Sequence, residues 1–208
     1  MPALSAALHF ALWRVGVRQA RSETNARERD ALARWARGRL RLVEIGVAQG
    51  VTTRQLRAAM SPEAELWAVD PYPANRAGLR FSEMIARGEV SHVPNGRVRW
   101  IRTIGVDAAK LWRNERRPAP DFVFIDGDHS WKGISEDWGA WGELVGPGGI
   151  IALHDSRSTP EHPLDADSVR FTQSVVHADT RFRIVEEVDS LTVLERLADG
   201  SPPSKALD

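Results

Sequence analysis

At 208 residues, with 42% apolar and 27% charged side chains, the chain fits one globular domain with a sizeable core. Its 28 basic and 28 acidic residues cancel, so no broad cationic face is offered to polyphosphate and nucleic acid is not an expected partner. The lack of cysteine excludes disulfides, zinc–thiolate sites and thiol catalysis and suits a reducing, cytoplasmic setting, and no apolar run reaches membrane-span length.

Residues 1–39 read as helical. The apolar stretch Leu4–Trp13 holds His9 and lacks a basic leader, so it suits a packing or lid helix rather than a signal peptide. Glu23–Arg39 carries many helix formers and is ended by Arg37-Gly38. This extension is expected to be a lid or a dimerisation segment, which makes a homodimer a candidate assembly. A first strand, Leu40–Ile45, ends in a glycine-bearing turn, and a helix follows from Thr53 until Ser61-Pro62 breaks it. A second strand, Glu65–Val69, ends at Asp70-Pro71-Tyr72-Pro73, before a helix over about 77–87. A third strand over Val98–Arg102 and a short helix over Asp107–Trp112 lead to the connector Arg117–Pro120. Asp121–Ile125 is apolar enough to be a strand buried on both faces. A helix over Trp131–Leu144, a sharp turn at Gly146–Gly149 and a fifth strand, Ile150–Leu153, come next. Ser156–Asp167 is a polar loop, Val169–His177 a helix, and Phe182–Val185 with Leu191–Leu194 an antiparallel pair closing the sheet. The tail from Asp199 is expected to be disordered.

Strands alternating with helices predict an α/β fold, a doubly wound and mostly parallel seven-stranded sheet with an antiparallel C-terminal pair. The body spans 40–198 behind the N-terminal helical extension. Ligands in such sheets bind outside the carboxyl ends of the strands. Glu44, Asp70, Asp107, Asp126, Asp128, His129, His154 and Asp155 recur there.

The turn Gly46-Val47-Ala48-Gln49-Gly50 follows a strand and opens a helix, an arrangement that holds nucleotide-like ligands. Gly46 and Gly50 would let the backbone approach a ligand closely. A phosphate site would not place Glu44 beside it, whereas a cationic or hydroxyl-rich ligand would, which points to S-adenosylmethionine. Asp70, about 20 residues downstream, can take both hydroxyls of a ribose. The glycines alone would equally suit an ordinary chain reversal, and their spacing departs from the dinucleotide pattern G-x-G-x-x-G.

Val43-Glu44-Ile45-Gly46 with Gly50 and Thr52, then Ala68-Val69-Asp70-Pro71, resemble motifs one and two of class I S-adenosylmethionine-dependent methyltransferases, which have a Rossmann-like fold. Phe122–Gly133 with Asp137, Trp141, Leu144, Pro147-Gly148-Gly149 and His154-Asp155 resembles the small O-methyltransferases that include sugar-modifying enzymes of antibiotic and polysaccharide pathways. The resemblance covers roughly 40–155. It implies that Glu44, Gly46, Gly50 and Thr52 line the methionine part of the cofactor, that Asp70 holds the ribose, and that Asp107 lies beside the adenine. In metal-dependent members the three metal positions are acidic or amide residues.

Asp126 and Asp155 end neighbouring strands about 4.8 Å apart, so their carboxylates can converge on one cation of the magnesium or manganese type. His154 stands at the middle metal position, where imidazole is a poorer magnesium ligand. His129, three residues past Asp126, is the candidate general base, since an ordinary histidine titrates near neutrality. Asp128 is a candidate cap for the helix beginning near Ser130, and Trp131, Trp138 and Trp141 suit packing, with Trp131 nearest the site. The expected function is O-methylation of a small hydroxylated acceptor, a carbohydrate or secondary metabolite, with a divalent cation's help. The rivals are a metal-dependent hydrolase using Asp126, His129, His154 and Asp155, and a non-catalytic cofactor-binding subunit.

Overall fold

The computed structural model describes residues 5–160 and 163–198. The tail from Asp199 lies outside these residues, as do Glu161 and His162 in the polar loop. Among the described residues, seven strands form one sheet: β1 (Arg41–Ile45), β2 (Glu65–Val69), β3 (Arg97–Ile101), β4 (Phe122–Ile125), β5 (Ile150–Leu153), β6 (Phe182–Val188) and β7 (Leu191–Arg196). Their spatial order is β3-β2-β1-β4-β5-β7-β6. The first five pair in parallel, and β7 runs antiparallel to both β5 and β6. This is the doubly wound, mostly parallel sheet with a C-terminal antiparallel pair that the alternation of elements predicts.

Strand alternation sends successive side chains to opposite faces, and here both faces are covered. Val43, Ile45, Val123, Ile125, Ile151 and Leu153 pack with α5 (Gly105–Asn114), α6 (Trp131–Gly142) and α7 (Asp167–Phe171). Leu42, Phe122, Phe124, Ile150 and Ala152 pack with α2 (Ala26–Ala36) and α3 (Val51–Ala59). Burying each large apolar side chain contributes roughly 1.5–3 kcal/mol, so the two layers dominate the stability. Trp112 of α5 sits between Trp67 and Trp141, with ring centroids 4.7 Å and 5.9 Å away. Both of the helical rings are also hydrogen-bonded: Trp112 donates to the Pro118 carbonyl and Trp141 to the Gly105 carbonyl, each at 3.1 Å.

The extension holds two helices, α1 (Ala6–Arg14) and α2, rather than continuous helix. Gly16 at φ +75° ends α1, and residues 15–25 run irregularly. Asn25 caps α2 in a capping box with Glu28, so the helix begins at Ala26 and not at Glu23. α1 lies on α4 (Phe81–Ser91), with Phe10 and Phe81 rings 5.4 Å apart and Trp13 donating to Glu89 at 2.7 Å. α4 itself starts four residues later than the expected 77. Asn75 accepts from the amides of Ala77 and Leu79 and holds that stretch as a turn. α3 begins at Val51, directly after Gly50 in the left-handed conformation. The expected helix 169–177 is α7 followed by one π-helical turn, Thr172–Val176.

Gly46 and Gly139 test opposite sides of glycine chemistry. Gly46 has φ +86°, and a Cβ there would lie 1.8 Å from the Asp126 carbonyl oxygen. Gly139 sits exposed in α6 with nothing within 4 Å of a Cβ position. In urea unfolding, Gly46→Ala should cost on the order of 3 kcal/mol through overpacking and left-handed strain. Gly139→Ala should stabilise by about 0.5–1 kcal/mol. A tolerated Gly46→Ala would contradict this packing.

Candidate functional site

The turn after β1 is shaped by its neighbours. The Gly46 amide donates to the Val69 carbonyl at 2.9 Å, extending the β1–β2 ladder by one residue. Asp70 then organises the loop: Oδ2 accepts from the amides of Val47 (3.1 Å) and Ala48 (3.0 Å), and Oδ1 from Tyr72 at 2.8 Å. Ala48 and Tyr72 have positive φ, +48° and +42°, strain that these bonds help to hold. Both glycines are also required by packing. Gly46 makes room for the β4 end, and a Cβ on Gly50 would lie 2.8 Å from Ala86 Cα of α4.

A cavity of about 400 Å³ opens beside this turn, within the usual range for small-molecule sites. Gly46, Thr52, Asp70 and Asp126 line it, together with residues 103–106, Asp128, Asp137 and residues 21–23 of the N-terminal segment. Glu44, Gly50 and Asp107 do not border it. Asp107 pairs instead with Lys110 at 2.7 Å on the exposed side of α5, and Gly105 and Val106 occupy the wall. Glu44 is fully buried, and burial pushes its carboxyl well above the ordinary range, with Asp126 and Asp70 adding to the shift. The N-terminal segment is fastened here: Thr24 and Thr52 share a 2.9 Å hydroxyl contact, and Gln49 accepts from the Arg21 amide at 2.7 Å. Asp137, on the buried face of α6, is pushed up to about 7 by burial.

Beyond Asp126 the cavity wall becomes a charge cluster. The β4–β5 register pairs Ile125 with Leu153, so the next residues, Asp126 and His154, emerge side by side. Asp126, His129, His154 and Asp155 each bring a donor atom within 4.8 Å of the others. His154 Nδ1 stands 2.9 Å from Asp126 Oδ1 and 3.4 Å from Asp155 Oδ1. His129 Nδ1 lies 3.0 Å from Asp155 Oδ2 and its Nε2 3.4 Å from Asp126 Oδ1. Asp155 has φ +49°, a conformation that turns its side chain back into the group. Asp128 is not the helix cap. It accepts from the Ser130 amide, and Ser130 caps α6 through the Gly133 amide. Trp131 stays outside the cavity, 5.4 Å from Phe171.

Sequence reasoning missed Glu28. This α2 side chain, 2% exposed, reaches His154 Nε2 at 3.3 Å through Oε2. Its Oε1 accepts from the Ser190 amide (2.9 Å) and hydroxyl (2.7 Å), and its Oε2 from the Asn25 amide (2.9 Å). The pattern Asn25-x-x-Glu28 marks a helix start in the sequence, but nothing local announces a partner 126 residues away.

The carboxylates set the protonation of the histidines. Asp126 and Asp155 together outweigh burial and push His129 up to about 10. Burial alone would lower His154, but Asp126, Asp155 and Glu28 push it up to about 12. Burial would raise Glu28, yet His154, Asn25 and Ser190 hold it down at about 2. The paired histidines likewise keep Asp155 below the ordinary carboxylate range against its burial. Nitrogen and oxygen donors converging in this way suit a divalent cation.

Residues 43–156, more than half of the chain, match the family described as a methyltransferase domain. Among solved structures, an O-methyltransferase from Bacillus cereus in complex with SAH superposes with a TM-score of 0.64 at 17% identity, over 94% of this chain and 93% of that one. Cofactor-bound Rv0187 from MTB gives 0.67 at 17% identity, over 93% and 90%. The MycE methyltransferase of the mycinamycin biosynthetic pathway, in complex with Mg and SAH, gives 0.56 at 16% identity, over 86% of this chain and 51% of that one. At these identities the likeness is one of fold.

The raised histidines make stability fall with pH in a defined window. A group whose folded pKa is raised contributes stability that is present below its unfolded value, near 6.5, and lost as pH climbs to the folded value, about 10 for His129. With a chelator present, the melting temperature should therefore fall between about pH 7 and pH 10, and less steeply in His129→Gln. Parallel profiles for the two proteins would contradict the placement of His129 between the carboxylates.

Proposed function

The chain belongs to the methyltransferase domain family, and on that premise we propose that it transfers a methyl group from S-adenosylmethionine to a hydroxyl oxygen of a small acceptor, a sugar or other secondary metabolite, assisted by a divalent cation. The observation that carries this reading is the position of Asp126, which belongs both to the wall of the 400 Å³ cavity and to the cluster of two carboxylates and two imidazoles. A methyl donor and an activated hydroxyl need that adjacency.

The residues present fit the cofactor. Gly46 and Thr52 line the cavity beside the turn that would take its methionine portion, while Glu44 and Gly50 lie behind that wall. Asp70 carries lone pairs for a ribose beyond those bonded to the loop amides. Gly105 and Val106, which line the cavity where Asp107 does not, are the candidates for the adenine contact. Asp126, His154 and Asp155 fit a dication, since His154 Nδ1 and Asp126 Oδ1 are buried without a hydrogen-bond partner. S-adenosylmethionine supplies an electrophilic methyl carbon, and a dication acidifies a bound hydroxyl and offsets the carboxylates that hold a proton on His129.

Catalysis by the chain's own residues then has two parts. The wall formed by residues 103–106 and 21–23 holds the reactants in line. His129 takes the hydroxyl proton as the acceptor oxygen attacks the methyl carbon and the carbon–sulfur bond breaks, leaving S-adenosylhomocysteine and a methyl ether. A hydrolase would leave the cavity and the Asp70-ordered turn without a ligand. A non-catalytic subunit would leave the imidazole–carboxylate cluster without a task.

Calorimetric titration with S-adenosylhomocysteine tests the cofactor assignment, with micromolar binding expected. Asp70→Asn should weaken that binding by about 1.5–3 kcal/mol through loss of a charged acceptor. His129→Ala should bind the product cofactor normally and lose about 10²–10⁴-fold in turnover on a hydroxylated acceptor. Absence of binding by the unmodified protein would overturn the methyltransferase reading, and full turnover in His129→Ala would remove the base.

A further inference from the structure

Glu28 faces the ring nitrogen of His154 that points away from the cluster. Glu28 is buried, is held by three hydrogen bonds from Asn25 and Ser190, and faces His154 Nε2 with a carboxylate oxygen at 3.3 Å. An ionised carboxylate only accepts, so Nε2 must be the N–H nitrogen. In a neutral imidazole the lone pair is then on Nδ1. That nitrogen points at Asp126 Oδ1 (2.9 Å) and Asp155 Oδ1 (3.4 Å), which are acceptors too. In the metal-free protein these carboxylates hold a second proton on Nδ1; with a dication in that proton's place the imidazole is neutral and Nδ1 joins the two carboxylate oxygens as a third donor. The His154 side chain is 2% exposed, and its Nδ1 faces Asp126 Oδ1 at 2.9 Å without the alignment of a good hydrogen bond. A dication can replace that proton in such a set.

The donor chemistry selects among cations. Magnesium favours an all-oxygen octahedral shell and retains water, whereas imidazole nitrogen raises affinity for later first-row metals. A carboxylate that fixes the remote nitrogen of a ligating histidine further orients it and raises its basicity. We propose that Asp126, His154 and Asp155 bind a first-row transition-metal dication of the manganese, cobalt or zinc type in preference to magnesium, with Glu28 of α2 as the positioning residue that makes His154 a nitrogen donor. The proposal rests on the reading that a dication belongs at this centre. It also gives the N-terminal extension a chemical role, because α2 precedes the matched segment 43–156 and yet completes the surroundings of the metal.

The experiment is a titration of the metal-free full chain with cobalt, manganese and magnesium chlorides separately, followed by calorimetry and, for cobalt, the visible absorption spectrum. Cobalt and manganese should bind at least about tenfold more tightly than magnesium, following the preference of nitrogen-containing sites. Glu28→Gln can turn its amide N–H towards Nε2 and release the tautomer. It should weaken cobalt about 10–100-fold, change magnesium less and shift the cobalt bands. His154→Gln presents an amide oxygen in place of nitrogen and should lower the cobalt-to-magnesium ratio, even if Glu28→Gln does not fold. Magnesium binding as tightly as cobalt in the unmodified protein would overturn the metal preference alone. Equal weakening of both metals in a folded Glu28→Gln would overturn the role of Glu28. Failure of every dication to bind would overturn this proposal together with the metal-assisted reading beneath it, while cofactor binding would still test the methyltransferase reading separately.

Discussion

Charge buried away from water must be balanced in place, and the architecture around the site follows from how Glu28, Asp126, Asp155, His129 and His154 achieve that. Glu28, His154 and Asp155 are each at most 4% exposed. An isolated ion at such a position would carry a penalty of several kcal/mol, so each one needs its partners in excellent geometry. Glu28 illustrates the consequence. Its two oxygens join the start of α2 through Asn25, the β6–β7 turn through Ser190 and the end of β5 through His154. One carboxylate therefore docks the N-terminal helix and the C-terminal hairpin onto the same strand end. Substitution of any member would leave uncompensated charge behind, which makes fold and site inseparable at this point.

A second constraint is the level at which the parallel strands stop. Val69, Ile45, Ile125 and Leu153 lie in one row of the sheet. The hydrogen-bonded ladder continues one residue further: Gly46 donates to Val69, Asp126 to Ile45 and His154 to Ile125. Asp70, Gly46, Asp126 and His154 are consequently neighbours, although they span more than one hundred positions of sequence. Gly46 has to be glycine for this row to close, because a Cβ would collide with the Asp126 carbonyl. The left-handed conformations of Ala48 and Asp155 sit on either side of the row. Such strain costs on the order of 1–3 kcal/mol per residue and persists where hydrogen bonds and ion pairs over-determine it. Here the Asp70 carboxylate holds the Ala48 amide, and the two histidines hold the Asp155 carboxylate.

Much of this was legible in the chain itself. Alternation of apolar strands with helices and the placement of acids and histidines at strand ends both report local periodicity, and the sheet, its topology and the carboxyl-end position of the cluster follow from them. The pairing of Asp126 with Asp155 was within reach because neighbouring parallel strands have a fixed spacing. Harder to read were the features settled by contacts distant in sequence. Glu28 was one of many helix formers in the expected 23–39 helix, and its partner His154 lies across the fold. Gly50 looked like a ligand-facing glycine, whereas the approach of α4 is what requires it. Asp107 was expected beside the adenine because its position matches one in the resembling family, yet helical rotation turns it outward to Lys110 and leaves Gly105 and Val106 facing in.

The same division holds for the chemistry. The amino-acid sequence by itself determined the strand order's raw material, the donor types at each strand end and the absence of thiols, because those depend on composition and short-range pattern. Tertiary structure alone decided which imidazole nitrogen meets which carboxylate, how far the histidines are shifted, and that residues 21–23 wall the cavity. Those properties depend on ångström-scale distances and on burial, and both are created only when the N-terminal segment, the sheet and the β6–β7 turn pack against one another.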